Sequence, residues 1–326
     1  MTNHNTQPAT HEAPQAAPSE VILITGFLGA GKTTLLRHIL QWPGDLSSTA
    51  VLVNEFGKVG IDGELLKGFQ TPVVELTNGC ICCSMQGDMV KSLEEITERF
   101  HPTRILIEAT GVADPLEVTR FLKTSRLRGH IHASRVVTVL DGDIWKGREY
   151  FGPVFYNQIK AAEILLFNKV DLLSREDVSR DMEQIREINS SCAILPTFHC
   201  RIDPEVIWSS PGLKTDSLDS FFLTPRSHYQ SAEDLGYVAF SFEDERAFDG
   251  DAFRRFIAQM PMNLYRMKGF VNMGGEHFII NHVGGKTEWT GSSAAGPTKL
   301  AFVGWQIDES EITIQLRACT ASATQA

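Results

Sequence analysis

One stretch decides the fold: Gly26-Phe27-Leu28-Gly29-Ala30-Gly31-Lys32-Thr33. It lies between a predicted buried strand, residues 21–25, and a predicted helix, residues 33–40. Glycines here let backbone N–H groups converge on phosphate oxygens without a Cβ in the way. Lys32 supplies a cation for the β- and γ-phosphates, and the Thr33 hydroxyl can ligate Mg²⁺. The stretch therefore predicts a P-loop, with nucleotide contacts at Gly26, Gly29, Ala30, Gly31, Lys32, Thr33 and Thr34.

A carboxylate ends a later predicted strand, residues 104–108, within Ile107-Glu108-Ala109-Thr110-Gly111. An acid at a strand tip can face the water shell of Mg²⁺, and a glycine amide just beyond it can reach the terminal phosphate. Downstream of a P-loop, this pattern predicts a sensor of the metal and the γ-phosphate. The predicted catalytic set is Lys32, Thr33, Glu108 and Gly111.

The nucleotide base is predicted to lie at Asn168-Lys169-Val170-Asp171, which follows another apolar run. Guanine presents two N–H donors that one carboxylate, Asp171, can accept, whereas adenine would leave the acid unpaired. Lys169 would lie along the base plane, and Asn168 would tie this loop to the P-loop. The pattern therefore predicts selectivity for GTP.

Three cysteines stand within four positions, at Cys80, Cys82 and Cys83. Three thiolates this close can ligate one borderline metal, for which Zn²⁺ is the default, and they leave a fourth position open. The alternatives are small cysteines that pack a strand end, or a redox pair. Cys-x-x-Cys spacing is absent, and adjacent cysteines bridge only with strain, so metal binding is favoured.

The N-terminal part of the chain alternates strands with helices. Strands are predicted at residues 21–25, 50–56, 72–76, 104–108, 136–140, 164–167 and 193–198, and helices at 33–40, 86–100, from 114, and 174–189. Such alternation predicts an α/β domain with a mostly parallel sheet covered on both faces.

The C-terminal part has a different pattern. Strands are predicted at residues 237–242, 264–272, 277–282 and 299–307, with a helix at 248–260, which indicates a smaller α+β domain. The predicted division is a disordered tail (1–19), a P-loop GTPase domain (20–202), a linker (203–234), a second domain (235–318) and a short tail (319–326).

Composition narrows the function classes. The 326-residue chain has a net charge of −10, which argues against nucleic acid as a partner. It contains no run near the roughly 20 apolar residues that span a bilayer, and its first residues do not resemble a signal peptide, so no membrane partner is expected. Clustered rather than spread cysteines favour a thiolate site in a reducing cytoplasm.

The motifs together resemble a known family. GFLGAGKTTLL (26–36), NEFGKVGID (54–62), ELTNGCICCSMQGDM (75–89), IEATG (107–111) and NKVD (168–171) occur in the order typical of the CobW-like metallochaperone GTPases, of the zinc-regulated GTPase metalloprotein activator type. RMKGF (266–270) and Trp289 resemble the C-terminal domain of that family, so the resemblance covers about residues 20–317. The wider group includes the GTPases that deliver nickel to urease and hydrogenase.

The resemblance implies that GTP binding organises the cysteine site and that hydrolysis drives metal transfer to a client apo-metalloprotein. It also implies Glu55 and His199 as further metal ligands, although His199 is equally well interpreted as a surface histidine at a strand end. Lys58 stands where many relatives have Glu. A homodimer stays open.

Three functions remain open from the sequence. The first is a cytoplasmic GTPase that binds GTP, Mg²⁺ and Zn²⁺ and loads zinc into a client. The second is a zinc storage or sensor protein whose affinity is gated by GTP. The third is the same GTPase with a different cargo, namely cobalt for cobalamin synthesis or the metal of nitrile hydratase.

Overall fold

The computed structural model describes residues 17–54, 73–76, 84–123, 126–127, 129–209 and 235–320. Within these ranges the chain forms one parallel and one antiparallel sheet. The fold is therefore the predicted α/β core followed by a smaller domain. None of the helices in these ranges is both long enough and apolar enough to cross a membrane.

The first sheet has seven parallel strands in the order β3-β2-β4-β1-β5-β6-β7. They are β1 (Ser19–Gly26), β2 (Thr49–Asn54), β3 (Val73–Leu76), β4 (Arg104–Glu108), β5 (Ile131–Asp141), β6 (Ile164–Asn168) and β7 (Ala193–Pro196). The helices around it are α1 (Lys32–Leu40), α2 (Ser84–Phe100), α3 (Pro115–Leu122), α4 (Gly152–Ala161) and α5 (Arg175–Ile188).

Both faces of this sheet are buried, which explains why its central strands are almost continuously apolar. Val21 and Leu23 of β1 pack with Leu93 and Ile96 of α2 on one face. The alternate residues Ile22 and Ile24 pack in a second cluster, with Leu36 and Ile39 of α1, on the other face. The period of two along β1 thus supplies two separate cores.

All seven strands predicted for this sheet are present, but some of them begin or end at other residues than predicted. β5 begins five residues earlier than predicted because Ile131–Arg135 continue the pairing with β1 across a bulge. β7 ends at Pro196 rather than at residue 198, and residues 55–56 and 72 lie outside the described part of the chain. Helix α4 and the preceding 3₁₀ turn, Trp145–Tyr150, were missed.

The second sheet is antiparallel, in the order β11-β10-β9-β12-β8. Its strands are β8 (Tyr237–Asp244), β9 (Leu264–Met273), β10 (Glu276–Val283), β11 (Lys286–Gly291) and β12 (Thr298–Trp305). Helices α7 (Gly250–Ala258) and α8 (Glu309–Ala318) cover one face, where Phe253 and Leu316 pack with Met267 and Phe302. The sequence prediction lacked β11 and α8.

Three details concern the predicted domain limits. β1 begins at Ser19, and a short helix, α6 (Glu205–Ser209), lies inside the predicted linker with Ile207 buried. Residues 210–234 fall outside the described ranges. At the other end, Cys319 is buried and Thr320 pairs with Phe248, so the folded part reaches beyond residue 318.

Candidate functional site

The candidate nucleotide site lies at the carboxyl ends of the parallel strands. The P-loop follows β1, Glu108 ends β4, and Asn168 ends β6. In a parallel sheet these ends meet at one edge, where ligands of open α/β folds bind. The topology therefore brings the predicted nucleotide-contacting segments to one rim.

The P-loop has a backbone that only glycine can adopt at two of its positions. Gly26 has φ +139°, and a Cβ there would lie 2.1 Å from the Val139 carbonyl oxygen. Gly31 has φ +114°, and its Cβ would lie 2.8 Å from Asn168 Nδ2. Lys32 Nζ donates to the Phe27 carbonyl at 3.2 Å, which holds the amine over the loop. The first turn of α1 carries no acidic side chain and no side-chain cap, so its amides and its positive end suit an anion.

Thr33 and Glu108 come together across 75 residues of sequence. Thr33 Oγ1 donates to Glu108 Oε1 at 2.7 Å, and Glu108 is buried. A hydroxyl and a carboxylate oxygen at the start of a P-loop helix are the hard ligands that Mg²⁺ prefers. This donor set fits the predicted magnesium.

Gly111 lies directly against the P-loop. A Cβ on Gly111 would lie 2.5–2.7 Å from three atoms of Leu28, one of them its backbone nitrogen. The segment is held from behind by α4, because Gln158 Nε2 donates to the Gly111 carbonyl at 3.1 Å and Asn157 Nδ2 to Asp114 Oδ2 at 2.7 Å. Sequence reasoning missed Asn157 and Gln158 because it missed the helix that carries them.

Asn168 joins three segments of the site. Its Nδ2 donates to the Ala30 carbonyl in the P-loop at 2.9 Å. Its Oδ1 accepts from the Cys200 backbone N–H at 2.9 Å and from Thr197 Oγ1 at 3.2 Å. The loops after β1, β6 and β7 are thereby fixed to one another.

The rest of the base loop is arranged around a buried acid that the sequence analysis missed. Lys169, with φ +63°, donates through Nζ to Asp141 Oδ2 at 2.6 Å. Burial raises the pKa of Asp141, and the Lys169 ammonium opposes that rise. Asp171 and Thr34 are at least partly exposed, so the carboxylate of Asp171 is accessible to a base. Val170 N donates to the Thr197 carbonyl at 3.2 Å.

Cys200 is a second residue that sequence reasoning missed. It is buried, has φ +53°, and its thiol donates to the Gly31 carbonyl at 3.3 Å. Burial raises the pKa of this thiol to about 12, so it stays protonated and packs against the P-loop. No local pattern marks this residue, because it stands four residues after β7 and reaches Asn168 and Gly31 only through the fold.

The metal candidates follow different strands of the sheet in sequence. His199 is exposed and follows β7, whereas the segment with Cys80, Cys82 and Cys83 follows β3. These strands are the outermost two, six strand spacings or about 29 Å apart. The three cysteines, Glu55 and Lys58 lie outside the described residues, and within the described ones no three His, Cys, Asp or Glu side chains are grouped for a metal.

Comparison with protein families decides the classification. Residues 20–196 match the model of the CobW/HypB/UreG nucleotide-binding domain. The chain belongs to the CobW/HypB/UreG family. Residues 237–320 match the CobW C-terminal domain, so both parts of this CobW-family protein are accounted for, and its P-loop is that of a GTP-binding protein.

Individual relatives align over 57% to 91% of the chain. A zinc chaperone CobW of a Sinorhizobium species is 28% identical, covering 91% of this CobW-family protein and 96% of the relative. The zinc chaperone YjiA of Escherichia coli is 27% identical, covering 90% and 96%. The zinc-regulated GTPase metalloprotein activator 1 of Schizosaccharomyces pombe is 35% identical over 57% of this chain and 47% of its own length. Among solved structures, the Zn(II)-bound YjiA GTPase of E. coli matches 93% of this chain and 99% of that chain, at 20% identity and a TM-score of 0.45.

Proposed function

We propose that this protein hydrolyses GTP and carries Zn²⁺ as cargo on Cys80, Cys82 and Cys83, from which it delivers the metal to a client apo-metalloprotein. The names of the curated relatives, zinc chaperones and a metalloprotein activator, support this cargo and this kind of partner. Proposed domain roles follow the predicted division, with nucleotide and metal on residues 20–202 and the second domain at 235–318.

The order of the strands is the observation that carries the proposal. β1 and β4 hold the P-loop and Glu108, and β2 and β3 follow on the side away from the base. Val53 of β2 is in register with Glu108, and Asn54 is in register with Leu76 of β3. Glu55 is the next residue after β2, and Cys80 is four residues beyond β3. The triphosphate end of the site is thus separated from the strand that leads to the cysteines by β2 alone.

Hydrolysis would use side chains of the P-loop and of the end of β4. Lys32 and the P-loop amides would hold the phosphates, and Thr33 and Glu108 would hold Mg²⁺, which would supply positive charge to the phosphates. Gly111, whose carbonyl accepts from Gln158, lies beside Leu28, and its amide N–H would report the presence of the γ-phosphate. Loss of that phosphate would release the Gly111 segment, the kind of ordered-to-released change that GTPase switches use.

The cysteine chemistry suits a metal that is passed on. Three thiolates bind Zn²⁺ firmly, and a fourth, open coordination position lets an incoming ligand from a client begin the exchange. The exposed position of His199 beside the base loop, at the edge opposite β3, does not support it as the fourth ligand within one chain. Glu55, the residue that follows β2 in sequence, is the further ligand that we propose instead.

A transfer assay tests this function. The full chain is loaded with one Zn²⁺, mixed with a chromophoric chelator, and given GTP, a non-hydrolysable analogue or GDP. We expect slow zinc release with the analogue, because that state holds zinc more tightly, and rapid release with GDP and with GTP that is hydrolysed to GDP. Lys32→Ala, which loses the main cation for the phosphates, should release zinc at one rate whichever nucleotide is added. Release at equal rates with GTP and with the analogue would contradict a hydrolysis-driven chaperone and favour a storage or sensor protein. Tighter binding of Co²⁺ than of Zn²⁺ in the analogue state would instead identify cobalt as the cargo.

A further inference from the structure

The C-terminal sheet forms a wall beside the P-loop. The Phe27 ring in the P-loop packs edge-on against Tyr265 of β9, with ring centroids 4.8 Å apart. A Cβ on Gly29 would lie 2.5 Å from Val283 Cγ1 at the end of β10. Lys286 pairs with Asp143, two residues beyond Asp141, the buried acid that pairs with Lys169. The β9–β10 part of this sheet therefore borders the nucleotide site itself.

A β-bulge in β9 turns two consecutive side chains toward this border. Val303 of β12 is in register with Arg266, but the next residue, Gly304, is in register with Leu264, so Tyr265 is the extra residue. Leu264 belongs to the core under helices α7 and α8, whereas Tyr265 belongs to the cluster that contains Phe27. Bulges re-aim side chains and are common next to active sites. Tyr265 and Arg266 thus share the face that looks at the P-loop.

Arg266 has apolar neighbours on both sides of that face. It is in register with Val283 and with Val303, and both valines pack in the cluster that contains Phe27. Its Nε is buried, and in the described part of the chain no hydrogen bond or ion pair of this guanidinium is found. The Oδ1 of Asn281, which is in register with Lys268 on the same face of the sheet, is also buried without a partner among these residues.

Buried polar groups in native proteins are nearly always paired, and the Nε of the partly buried Arg266 is a buried N–H donor without a partner. An anion at the rim would pair this one. The planar guanidinium is suited to two phosphate oxygens at once. Its neighbour Val283 lies against Gly29, whose loop is of the kind that holds the α- and β-phosphates with its amides.

We propose that Arg266 of the C-terminal domain binds the α- and β-phosphates of the nucleotide in cis and neutralises charge on the leaving GDP. This rests on the proposed GTP hydrolysis. In that reaction the water oxygen bonds to Pγ, the bond from Pγ to the bridging oxygen breaks, and its electron pair stays on the β-phosphate of GDP. The proton of the water goes to the phosphate released. A cation beside the β-phosphate favours this step because it stabilises the charge where it develops.

The test compares the full-length protein with Arg266→Gln, Arg266→Lys and Lys299→Gln. Lys299 is the matched control, since it lies on the same sheet face, in register with Phe270, and forms an exposed pair with Glu243. We expect Arg266→Gln to lower the single-turnover rate of GTP hydrolysis by about 100-fold or more. GDP affinity should fall about 10-fold or more, as expected for a lost charged hydrogen bond. Arg266→Lys should regain affinity but little of the rate, and Lys299→Gln should match the wild type.

Two outcomes would overturn the inference, and a third would contradict the proposed function instead. If Arg266→Gln unfolds at lower temperature but keeps wild-type nucleotide affinity and rate, Arg266 is a packing residue. If Lys299→Gln has the same effect as Arg266→Gln, the effect comes from the loss of a positive charge on this domain and not from a contact of Arg266 with phosphate. A wild type that binds GTP without hydrolysing it would contradict the proposed function, and the affinity comparison would still decide the role of Arg266.

Discussion

The Thr33 hydroxyl donates a 2.7 Å hydrogen bond to Oε1 of Glu108, which joins the first turn of α1 to the tip of β4. The two oxygens that we propose as magnesium ligands are thereby held in place by two rigid elements. Val53 lies beside Glu108 in the neighbouring strand, and β3 follows next, so this contact stands between the phosphates and the strands that lead to the cysteines.

Replacing Glu108 tests the magnesium site. Glu108→Gln keeps the size of the side chain but removes the charge that attracts Mg²⁺, so GTP turnover should fall by about 10- to 100-fold. The Mg²⁺ concentration for half-maximal turnover should rise. A magnesium titration measures both quantities, with the exposed Glu98→Gln on α2 as the control. Unchanged magnesium dependence would remove Glu108 from the metal's surroundings.

Asp171 is expected to set base selectivity. Asp171→Asn should weaken GTP by about 10- to 100-fold, because the amide cannot accept both guanine N–H groups. Xanthosine triphosphate, whose 2-oxo group prefers a donor, should bind the variant better than GTP does. Competition among GTP, ATP and xanthosine triphosphate measures this. ATP competing as well as GTP against the wild type would refute the assignment.

Asn168 should matter for stability as well as for nucleotide binding. Asn168→Ala leaves the buried Ala30 carbonyl and Cys200 N–H unpaired, which costs about 1–3 kcal/mol for each such group. GDP affinity should also fall in Asn168→Ala, because the hydrogen bond that joins the P-loop to the base loop is lost. Thr197→Val removes only the 3.2 Å bond to Asn168 Oδ1 and should cost less. Urea unfolding gives the free energy of unfolding of each variant, and equal losses in Asn168→Ala and Thr197→Val would contradict this account.

Glu163 predicts a pH dependence of stability far from the site. Burial raises its pKa from 4.5 to about 7, although Arg135 opposes the rise. The folded state then holds this proton more tightly than the unfolded state, so its contribution to stability is complete below pH 4.5. That contribution falls as pH rises to about 7. Relative to Glu163→Gln, the wild type should therefore lose stability between pH 4.5 and 7. Parallel pH profiles in urea unfolding would show that Glu163 titrates normally.

The strands that carry the site were predictable because each is a buried apolar run ended by a motif. Glu108 ends its strand, and Gly31 and Asp171 lie in the loops just after theirs. Parallel pairing puts the carboxyl ends of these strands on one rim. Helix α4 was not predictable in this way. Seven of its ten residues are buried, so it shows no amphipathic stripe, and Phe151 at its start offers no side-chain cap.

Contacts between distant segments were the other gap. Asp141 and Cys200 act through buried contacts to Lys169 and Asn168, which no local pattern announces. The P-loop residue Phe27 looks like any apolar residue in sequence, yet it packs against Tyr265 of the second domain. Helix α8 did carry a signal that was overlooked, since Asp308 caps it by accepting from Ser310 and Glu311 N–H groups.

The central claim is that the nucleotide state sets the affinity for zinc. Because linkage is mutual, GTP that tightens zinc must itself be tightened by zinc, by the same factor, typically about 5- to 150-fold. In this proposal the coupling runs on the phosphate side of the sheet, from β4 through β2 to β3, which are neighbours in the strand order. Cys82→Ser with Cys83→Ser should erase it and leave GDP binding nearly unchanged.

Competition with a chromophoric zinc chelator, in the presence of a non-hydrolysable GTP analogue or of GDP, measures this most directly. The account predicts a lower Kd for zinc in the analogue state, within the factor just given, and no difference in the double cysteine variant. Equal zinc affinity in the two nucleotide states would contradict it and leave two independent sites on one protein.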